Sequence, residues 1–253
     1  MTAYTHGHHE SVLRSHRWRT AENSCAYLLP HLRPEHRVLD VGCGPGTITA
    51  DLGGRVTEVL GVDPSASVIE EARRDHPGVA FEVGDLFDLD GRWDVVHAHQ
   101  VVQHLADPVG ALRRMGELGS LVAARDSDYP AFVWTGGDER LDRWLDLYLA
   151  VTRHNGANAD AGRHLLRWAH EAGLTDVRYS TSTWTYATPD EVAWWGGLWA
   201  DRAVKSSFAE QAVAYGLATT DDLADIADGW RAWAAGEHST IVLLHGEVLA
   251  RGS

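Results

Sequence analysis

A glycine-rich segment near the start of the chain carries the residues whose chemistry is easiest to interpret. Asp40 precedes three closely spaced glycines, Gly42, Gly44 and Gly46, in the run Val-Leu-Asp-Val-Gly-Cys-Gly-Pro-Gly-Thr. Glycine permits a tight turn and removes the Cβ atoms that would block a ligand. A strand pattern comes before the segment and a helical pattern follows it, so the turn would present the free N–H groups of a helix N-terminus. We therefore expect this segment to hold a polar ligand against its backbone.

The spacing of these residues distinguishes between two classes of cofactor. A dinucleotide fingerprint is Gly-x-Gly-x-x-Gly, but here the third glycine, Gly46, comes one residue early and Thr47 takes its place. A carboxylate at Asp40 disfavours a pyrophosphate and favours a ligand with cationic groups. S-adenosyl-L-methionine (SAM) carries an ammonium group, a sulfonium group and no phosphate. The segment therefore predicts SAM, with Asp40, Gly42, Gly44 and Gly46 as cofactor-binding residues.

Two further acidic residues follow the next predicted strands. Asp63 ends an apolar run, where a carboxylate can accept hydrogen bonds from both hydroxyls of a ribose. Asp85 follows the next run, and we predict that it binds the adenine amino group while Leu86 packs beside the ring. Each acid alone is equally well explained as a turn or capping residue. Their order on successive strand ends favours a cofactor, because ligands bind at the carboxyl ends of open parallel sheets.

Histidine and glutamine side chains after the fourth predicted strand are candidates for the chemical step. This segment offers His99, Gln100, Gln103 and His104. In methyl transfer the positive sulfur activates the carbon, so the protein mainly aligns the nucleophile, and a base is needed only for a protonated acceptor. Because histidine titrates near neutral pH, we predict His99 and His104 as catalytic residues and Gln100 as a cofactor-binding residue. The alternative for each histidine is a helix-start or backbone-supporting role.

The order of strand and helix patterns predicts the fold. Short apolar runs alternate with helical stretches up to about residue 125, which indicates a parallel sheet with helices on both faces. Later residues favour helices, followed by two final strands. We expect one domain over residues 1–253, with an N-terminal helical lid (1–35), a SAM-binding core (36–126), and helical insertions plus the last two strands (127–253). The predicted strands span residues 37–41, 58–62, 79–83, 94–98, 121–124, 177–184 and 240–250.

The stretch from residue 37 to about residue 125 resembles the SAM-binding core of class I methyltransferases, in particular the group of ubiquinone and menaquinone biosynthesis. This resemblance implies an α/β, Rossmann-like, seven-stranded, mostly parallel sheet, with the last strand antiparallel. It also implies S-adenosyl-L-homocysteine as the product. One departure is Glu117-Leu118-Gly119-Ser120, where the family usually has Pro-Gly-Gly. The matching motifs are the glycine segment, Gly61-Val62-Asp63, Gly84-Asp85, Trp93-Asp94-Val95-Val96 and the run His99-Gln100-Val101-Val102-Gln103-His104-Leu105.

Composition narrows the partners and the location. The net charge of −14 disfavours binding to a phosphate backbone, so we expect no nucleic acid. No run of about 18 apolar residues is present, so we expect no membrane span. Two cysteines and a polar N-terminus without a secretory pattern favour the cytoplasm. The sequence is compatible with a monomer or a homodimer.

Several residues allow two interpretations each. The 11 tryptophans either wall an apolar or aromatic acceptor pocket or pack helices together. Arg19 either meets the SAM carboxylate or is a surface arginine. Asp126 and Ser127 either line the acceptor pocket in a loop or shape a turn. His8 and His9 lack a matching further ligand, so we predict no metal site.

The expected function is methyl transfer from SAM to a small-molecule acceptor, aromatic or apolar. The alternatives are a methyltransferase acting on RNA or protein, a SAM-dependent enzyme that does not methylate, and a non-catalytic SAM-binding protein. Many RNA enzymes with a similar core carry an Asn/Asp-Pro-Pro-Tyr/Phe tetrapeptide after the fourth strand, and this chain has Ala98-His99-Gln100-Val101 there. The spacing of the glycines also argues against a nicotinamide oxidoreductase.

Overall fold

A computed structural model describes Thr5 and residues 10–252 of the chain. The principal helices are α1 (Glu10–Arg17), α2 (Ala21–Ser24), α3 (Thr47–Gly53), α4 (Ala66–Asp75), α5 (Pro108–Leu118), α6 (Glu139–His154), α7 (Ala161–Glu171), α8 (Pro189–Lys205), α9 (Ser207–Ala214) and α10 (Thr220–Ala234). The strands are β1 (Arg37–Val41), β2 (Glu58–Asp63), β3 (Ala80–Val83), β4 (Trp93–His99), β5 (Gly119–Ser127), β6 (Val133–Thr135), β7 (Thr175–Tyr186) and β8 (Thr240–Arg251).

The described chain forms two compact units, each built from several segments. The first, which we call the helical unit, combines the described residues up to 15 with residues 128–160 and 183–244. The second, the sheet unit, combines residues 16–127, 161–182 and 245–253. The predicted domain boundaries after residues 35 and 126 stay a prediction.

The sheet confirms the predicted Rossmann-like fold. Its strands lie in the order β3-β2-β1-β4-β5-β8, with β1 to β5 parallel and β8 antiparallel to β5. β7 pairs with β8, as the family resemblance implied. The sheet has eight strands instead of seven because the short β6 also pairs with the first residues of β8.

Helices cover both faces of the parallel sheet. Alternate strand residues enter two separate cores, as expected when successive side chains point to opposite faces. Leu39, Val96 and Val122 pack with apolar side chains of α5 and α7. Val38 and Val95 pack on the other face with side chains of α2 and α3. This double burial explains the continuous apolar character of these strands in the sequence.

β5 is longer than the sequence predicted. It begins at Gly119, directly after α5 ends at Leu118, and continues to Ser127. Asp126 and Ser127 are therefore strand residues and do not belong to a loop. The reason is their pairing with Gly246 and His245 of β8, which the local sequence does not reveal.

One row of polar residues crosses the sheet near the carboxyl ends of the parallel strands. His99, Arg125 and Glu247 occupy directly paired positions on β4, β5 and β8, and all three are buried. Arg125 Nε lies 3.3 Å from Glu247 Oε1. Ser180 and Ser182 of β7 donate hydrogen bonds to the same carboxylate. Although burial lowers the pKa of Arg125 to about 10, its guanidinium stays charged at neutral pH.

The tryptophans of the helical unit form its core. Trp144, Trp199, Trp230 and Trp233 are at most 1% exposed. Trp144 packs edge-on against Trp199 and Trp230, with ring centroids 4.5 and 4.8 Å apart. Such edge-to-face pairs are a favoured aromatic geometry. These side chains therefore pack helices together, which was the second of the two interpretations.

None of the helices in the described part of the chain combines the length and the apolar character that a membrane crossing requires.

The buried pair of Arg125 and Glu247 gives a stability prediction. Glu247→Gln should lower the free energy of unfolding by about 3–5 kcal/mol, because the guanidinium then lacks a buried counter-charge. The matched control is Glu58→Gln in the cross-strand pair of Arg37 and Glu58, whose side chains are 47% and 48% exposed. That change should cost less than about 1 kcal/mol. Urea denaturation measures both, and equally small losses would contradict the assignment.

Candidate active site

The three glycines of the loop between β1 and α3 have different roles. All adopt positive φ angles, 65° at Gly42, 55° at Gly44 and 83° at Gly46. A Cβ added at Gly42 would lie 2.4 Å from Val101, and one at Gly46 would lie 2.5 Å from Phe81. At Gly44 the nearest atom, His16 Nδ1, would be 3.8 Å away. Gly42 and Gly46 therefore permit close packing, whereas a Cβ at Gly44 would make only an ordinary contact with the His16 ring, so close packing does not require this glycine.

Asp63 connects this loop to the next helix. Its Oδ2 accepts a hydrogen bond from the Gly44 N–H at 3.2 Å, and its Oδ1 accepts one from the Ser65 N–H at 2.9 Å. The carboxylate is half-buried at the end of β2. A carboxylate has about four acceptor sites, so it can also accept hydrogen bonds from hydroxyl groups of a ligand. The structure thus brings Asp63 and Gly44 together, as the prediction requires.

Asp85 and Leu86 lie at the end of β3 with different surroundings. Asp85 is exposed and caps a short 3₁₀ turn by accepting a hydrogen bond from the Phe87 N–H at 3.0 Å. Leu86 is 6% exposed and packs in the core, and its contact with an adenine ring stays a prediction. The exposed apolar neighbours of Asp85 are Val83 and Phe87. The sequence motifs did not single out these two side chains as neighbours of a candidate site residue.

Asp40 points into the protein. It is 2% exposed. Its Oδ2 accepts a hydrogen bond from Thr49 Oγ1 at 2.5 Å, and its Oδ1 lies 2.7 Å from His97 Nδ1. Any influence of Asp40 on a cationic ligand is therefore exerted through the protein and not by direct contact. The sequence did not predict His97 as the partner of Asp40, although the two residues lie opposite each other in the β1–β4 register.

An N-terminal strap, residues 16–19, lies across the glycine loop. The carbonyl oxygen of His16 accepts a hydrogen bond from Thr47 Oγ1 at 3.3 Å. Arg17 forms an ion pair with the buried Glu71 of α4. Arg19 Nη2 donates to Gln100 Oε1 at 2.6 Å, at the end of β4. The strap therefore places Arg19 inside the site and not on an open surface. His8 and His9 lie outside the described residues.

The segment after β4 is held by hydrogen bonds. Gln100 has a φ of 54°, unusual for a residue with a side chain, and its N–H donates to the Arg125 carbonyl at 2.7 Å. Gln103 accepts a hydrogen bond from Ser127 Oγ through Oε1, so its amide nitrogen is the donor that lies 3.3 Å from His104 Nε2. His104 Nε2 therefore accepts, and its ring proton resides on Nδ1.

Both predicted catalytic histidines are neutral at pH 7, but they occupy different places. Burial and the charges of Arg19 and Arg125 hold the pKa of His99 well below its usual range. Burial, together with Arg19, lowers the pKa of His104 to about 3. His99 is only 5% exposed and lies in the polar row of the sheet, whereas His104 is half-buried beside Gln103. His104 is thus the better placed of the two to meet an acceptor.

Asp126 is a buried acid at the end of β5. Its Oδ1 accepts a hydrogen bond from the Gln103 N–H at 3.3 Å, and its Oδ2 meets no hydrogen-bond partner among the residues that the structure describes. Burial raises its pKa to about 8, despite opposing effects of backbone N–H groups and arginines. Asp126 is therefore largely protonated at neutral pH.

The residues at the carboxyl ends of the strands fit SAM. Gly44 leaves space where a Cβ would stand, and Asp63 offers a carboxylate beside its N–H. Asp85 lies exposed at the end of the neighbouring strand, and Arg19 brings a positive charge to the end of β4. Along the sheet edge, in the strand order β3, β2 and β4, these groups suit an adenine, a ribose and a carboxylate. The arrangement is that of a class I SAM-dependent methyltransferase.

Sequence comparison agrees with this class. A family model described as "Methyltransferase domain" matches residues 13–179, more than half of the chain. The chain therefore belongs to this methyltransferase family, and its cofactor is SAM. This confirms the resemblance found in the motifs.

Individual relatives extend over different parts of the chain. An uncharacterized methyltransferase of Schizosaccharomyces pombe, C1B3.06c, is 29% identical over 97% of this chain and 95% of its own length. A demethylmenaquinone methyltransferase of Beutenbergia cavernae is 34% identical over 60% of this chain and 70% of its own length. The crystal structure of the [4+2]-cyclase SpnF is similar with a TM-score of 0.53 at 18% identity, covering 99% of this chain and 88% of that one. The last likeness concerns the fold alone.

The different roles of the glycines can be tested by a matched pair of variants. Gly46→Ala should destabilise the protein strongly, because the methyl group collides with Phe81. Gly44→Ala should lower the free energy of unfolding by only about 1–2 kcal/mol, because alanine disfavours the left-handed backbone conformation. It should nevertheless weaken S-adenosyl-L-homocysteine binding at least tenfold. Thermal unfolding and calorimetric titration separate the two effects. Wild-type affinity in Gly44→Ala would show that the ligand does not approach this glycine.

The buried Asp126 gives a pH prediction for stability. Its pKa is about 8 in the folded protein and near the usual 3.8 when unfolded. Between about pH 4 and 8 the folded protein therefore keeps the Asp126 proton that the unfolded chain has lost. The free energy of unfolding falls as the pH rises through this range, because only the unfolded chain gains by releasing that proton. Asp126→Asn removes this titrating group. The free energy of unfolding of the variant relative to wild type should therefore increase with pH, by up to about 1.4 kcal/mol per pH unit. Urea denaturation at pH 5 and 8 measures it.

The control for that experiment is Asp90→Asn, since the Asp90 side chain is fully exposed. Its stability relative to wild type should stay constant over the same range. A constant difference for Asp126→Asn as well would mean that Asp126 ionises normally.

Proposed function

We propose that the protein transfers the methyl group of SAM to a small-molecule acceptor with an aromatic or apolar part. The observation that carries this proposal is the hydrogen bond from the Gly44 N–H to Asp63, at a glycine that close packing does not require, with Arg19 at the end of the neighbouring strand β4. The net charge of −14 supports a small acceptor over a nucleic acid. The name of the Beutenbergia relative also denotes a methyltransferase for a small molecule.

In this proposal the cofactor is bound at the carboxyl ends of β1 to β4. Asp63 accepts hydrogen bonds from the ribose hydroxyls, and Asp85 accepts one from the adenine amino group. The Gly44 backbone lies against the cofactor, and Arg19 binds its carboxylate. Bound SAM supplies an electrophilic methyl group on a positively charged sulfur. The remaining task of the chain is to align the acceptor behind that methyl group.

His104 and Gln100 then have positioning roles near the acceptor and the cofactor. With a pKa of about 3, the His104 imidazole is too weak a base to hold a proton at neutral pH. Its Nδ1–H, however, can donate a hydrogen bond that orients an acceptor atom. A consequence is that His104 would contribute no ionisation to the pH–rate profile between pH 5 and 9. His99 is too deeply buried for a direct contact.

Other parts of the expectation stay predictions. These are a cytoplasmic location, a monomer or homodimer, the absence of a nucleic-acid partner, and the absence of a metal. A protein or RNA acceptor is the alternative outcome of the experiment below.

The test of the cofactor site is calorimetric titration with S-adenosyl-L-homocysteine and, separately, NADH. We expect low-micromolar or tighter binding of the first, about 8 kcal/mol, and no binding of NADH. Asp63→Ala should lose at least tenfold in affinity, whereas the control Glu35→Ala, an exposed acid before β1, should bind like wild type. Binding of NADH in place of the SAM product would favour an oxidoreductase.

The class of acceptor is tested with SAM that carries a labelled methyl group. The enzyme is incubated with a cell extract, and the product is separated by size. Label in the low-molecular-weight fraction supports the proposal. Label in RNA or protein that persists after the small molecules are removed beforehand would overturn it.

A further inference from the structure

A chain of hydrogen bonds runs from the N-terminal strap through Gln100 to the last strand. Arg19 Nη2 lies 2.6 Å from Gln100 Oε1. Gln100 Nε2 lies 2.9 Å from Nε2 of His245, which is fully buried in β8. His245 is about 145 residues distant from Gln100 in the sequence, and neither the motifs nor the comparisons assign it a role.

The chemistry of the three groups fixes the direction of each bond. A guanidinium donates hydrogen bonds and accepts none, so the Gln100 atom that faces Arg19 is the amide oxygen. The other end of the amide is an NH₂ group, which donates to His245. Nε2 of His245 must therefore carry a lone pair, and its ring proton resides on Nδ1. Arg19 and His245 therefore hold opposite ends of the Gln100 amide, and His245 is the partner of its nitrogen.

The backbone of Gln100 adds to this constraint. Its φ of 54° lies in the left-handed region, which side chains disfavour, and its N–H is bound to the Arg125 carbonyl. The Cα–Cβ direction of Gln100 is thereby set, and the side-chain torsions, including rotation of the amide, are the freedom that its two partners restrict. His245 itself is set by β8, where it pairs with Ser127 of β5.

We propose that His245 is a positioning residue for cofactor binding, which holds the Gln100 amide oxygen toward Arg19 so that the guanidinium is ready for the cofactor carboxylate. This inference rests on the proposed function. Without an acceptor at position 245, the Gln100 amide nitrogen loses its partner and the side chain is held at one end only. The amide oxygen is then no longer kept in place for Arg19.

The test is a double-mutant cycle read by titration with S-adenosyl-L-homocysteine. His245→Phe keeps a ring but removes the acceptor, and it should weaken binding about tenfold. His245→Gln can place a side-chain oxygen where Nε2 stood, so it should restore most of the affinity. His245→Asn is too short to do so and should behave like His245→Phe. The last variant also keeps the test valid if the buried phenyl ring prevents folding.

The second arm removes Arg19. Arg19→Met should weaken binding at least as much as His245→Phe does. Adding His245→Phe to Arg19→Met should then cause little further loss, because the histidine acts through the arginine. Additive losses would show that His245 acts by another route and would overturn the inference. Wild-type affinity in His245→Phe or in Arg19→Met would overturn it as well.

Failure of this inference is distinguishable from failure of the proposed function. If the wild type binds the SAM product and Asp63→Ala does not, the cofactor site stands whatever His245 does. If the wild type binds no SAM product, both proposals fall. An independent readout is the ring ¹⁵N spectrum of His245, where the Nδ1–H tautomer supports the assigned bond direction and the Nε2–H tautomer contradicts it.

Discussion

The buried carboxylate of Asp40 is the interaction on which the site depends. A buried charge is costly unless it is well hydrogen-bonded. Asp40, in β1 just before the glycine loop, meets that requirement through two bonds. One is with Thr49 of α3, which follows the loop, and the other is with His97 of the neighbouring strand β4. The bonds fix the first turn of α3 relative to two central strands. Gly42, Gly44 and Gly46 can then hold positive φ angles in a loop whose ends are both anchored.

The same principle of mutual anchoring applies to the other side of the site. The strap reaches α3, α4 and β4 through three separate contacts, and the end of β4 is tied to β5 and β8. Each element is therefore positioned by residues distant in sequence. The polar row of His99, Arg125 and Glu247 continues this arrangement beneath the site, where the buried Arg125–Glu247 ion pair is hydrogen-bonded by Ser180 and Ser182 of β7.

The local signals in the sequence were sufficient for the parallel core and the cofactor loop. Glycine spacing and the alternation of strand and helix patterns depend on neighbours a few residues away, and the structure confirms the parallel strands that they predicted. The partners His97 and His245, the extension of β5, and the position of Arg19 depend on strand register and long-range contacts. One sequence does not contain that information in any local pattern. The burial of Leu86 has the same origin, since burial is a property of the assembled sheet.

The protonation states near β4 and β5 suit methyl transfer from a cation. His99 and His104 are neutral at pH 7 because burial and Arg19 lower their pKa values, and Asp126 is largely neutral because burial raises its own. Arg125 is compensated by Glu247. In the proposed reaction the positive charge of the sulfonium disappears as the methyl group leaves. A carboxylate beside it would stabilise the charged starting state more than the transition state and so slow the step. Neutral hydrogen-bonding groups orient the acceptor without that penalty, which is consistent with burying Asp126 as a largely protonated acid.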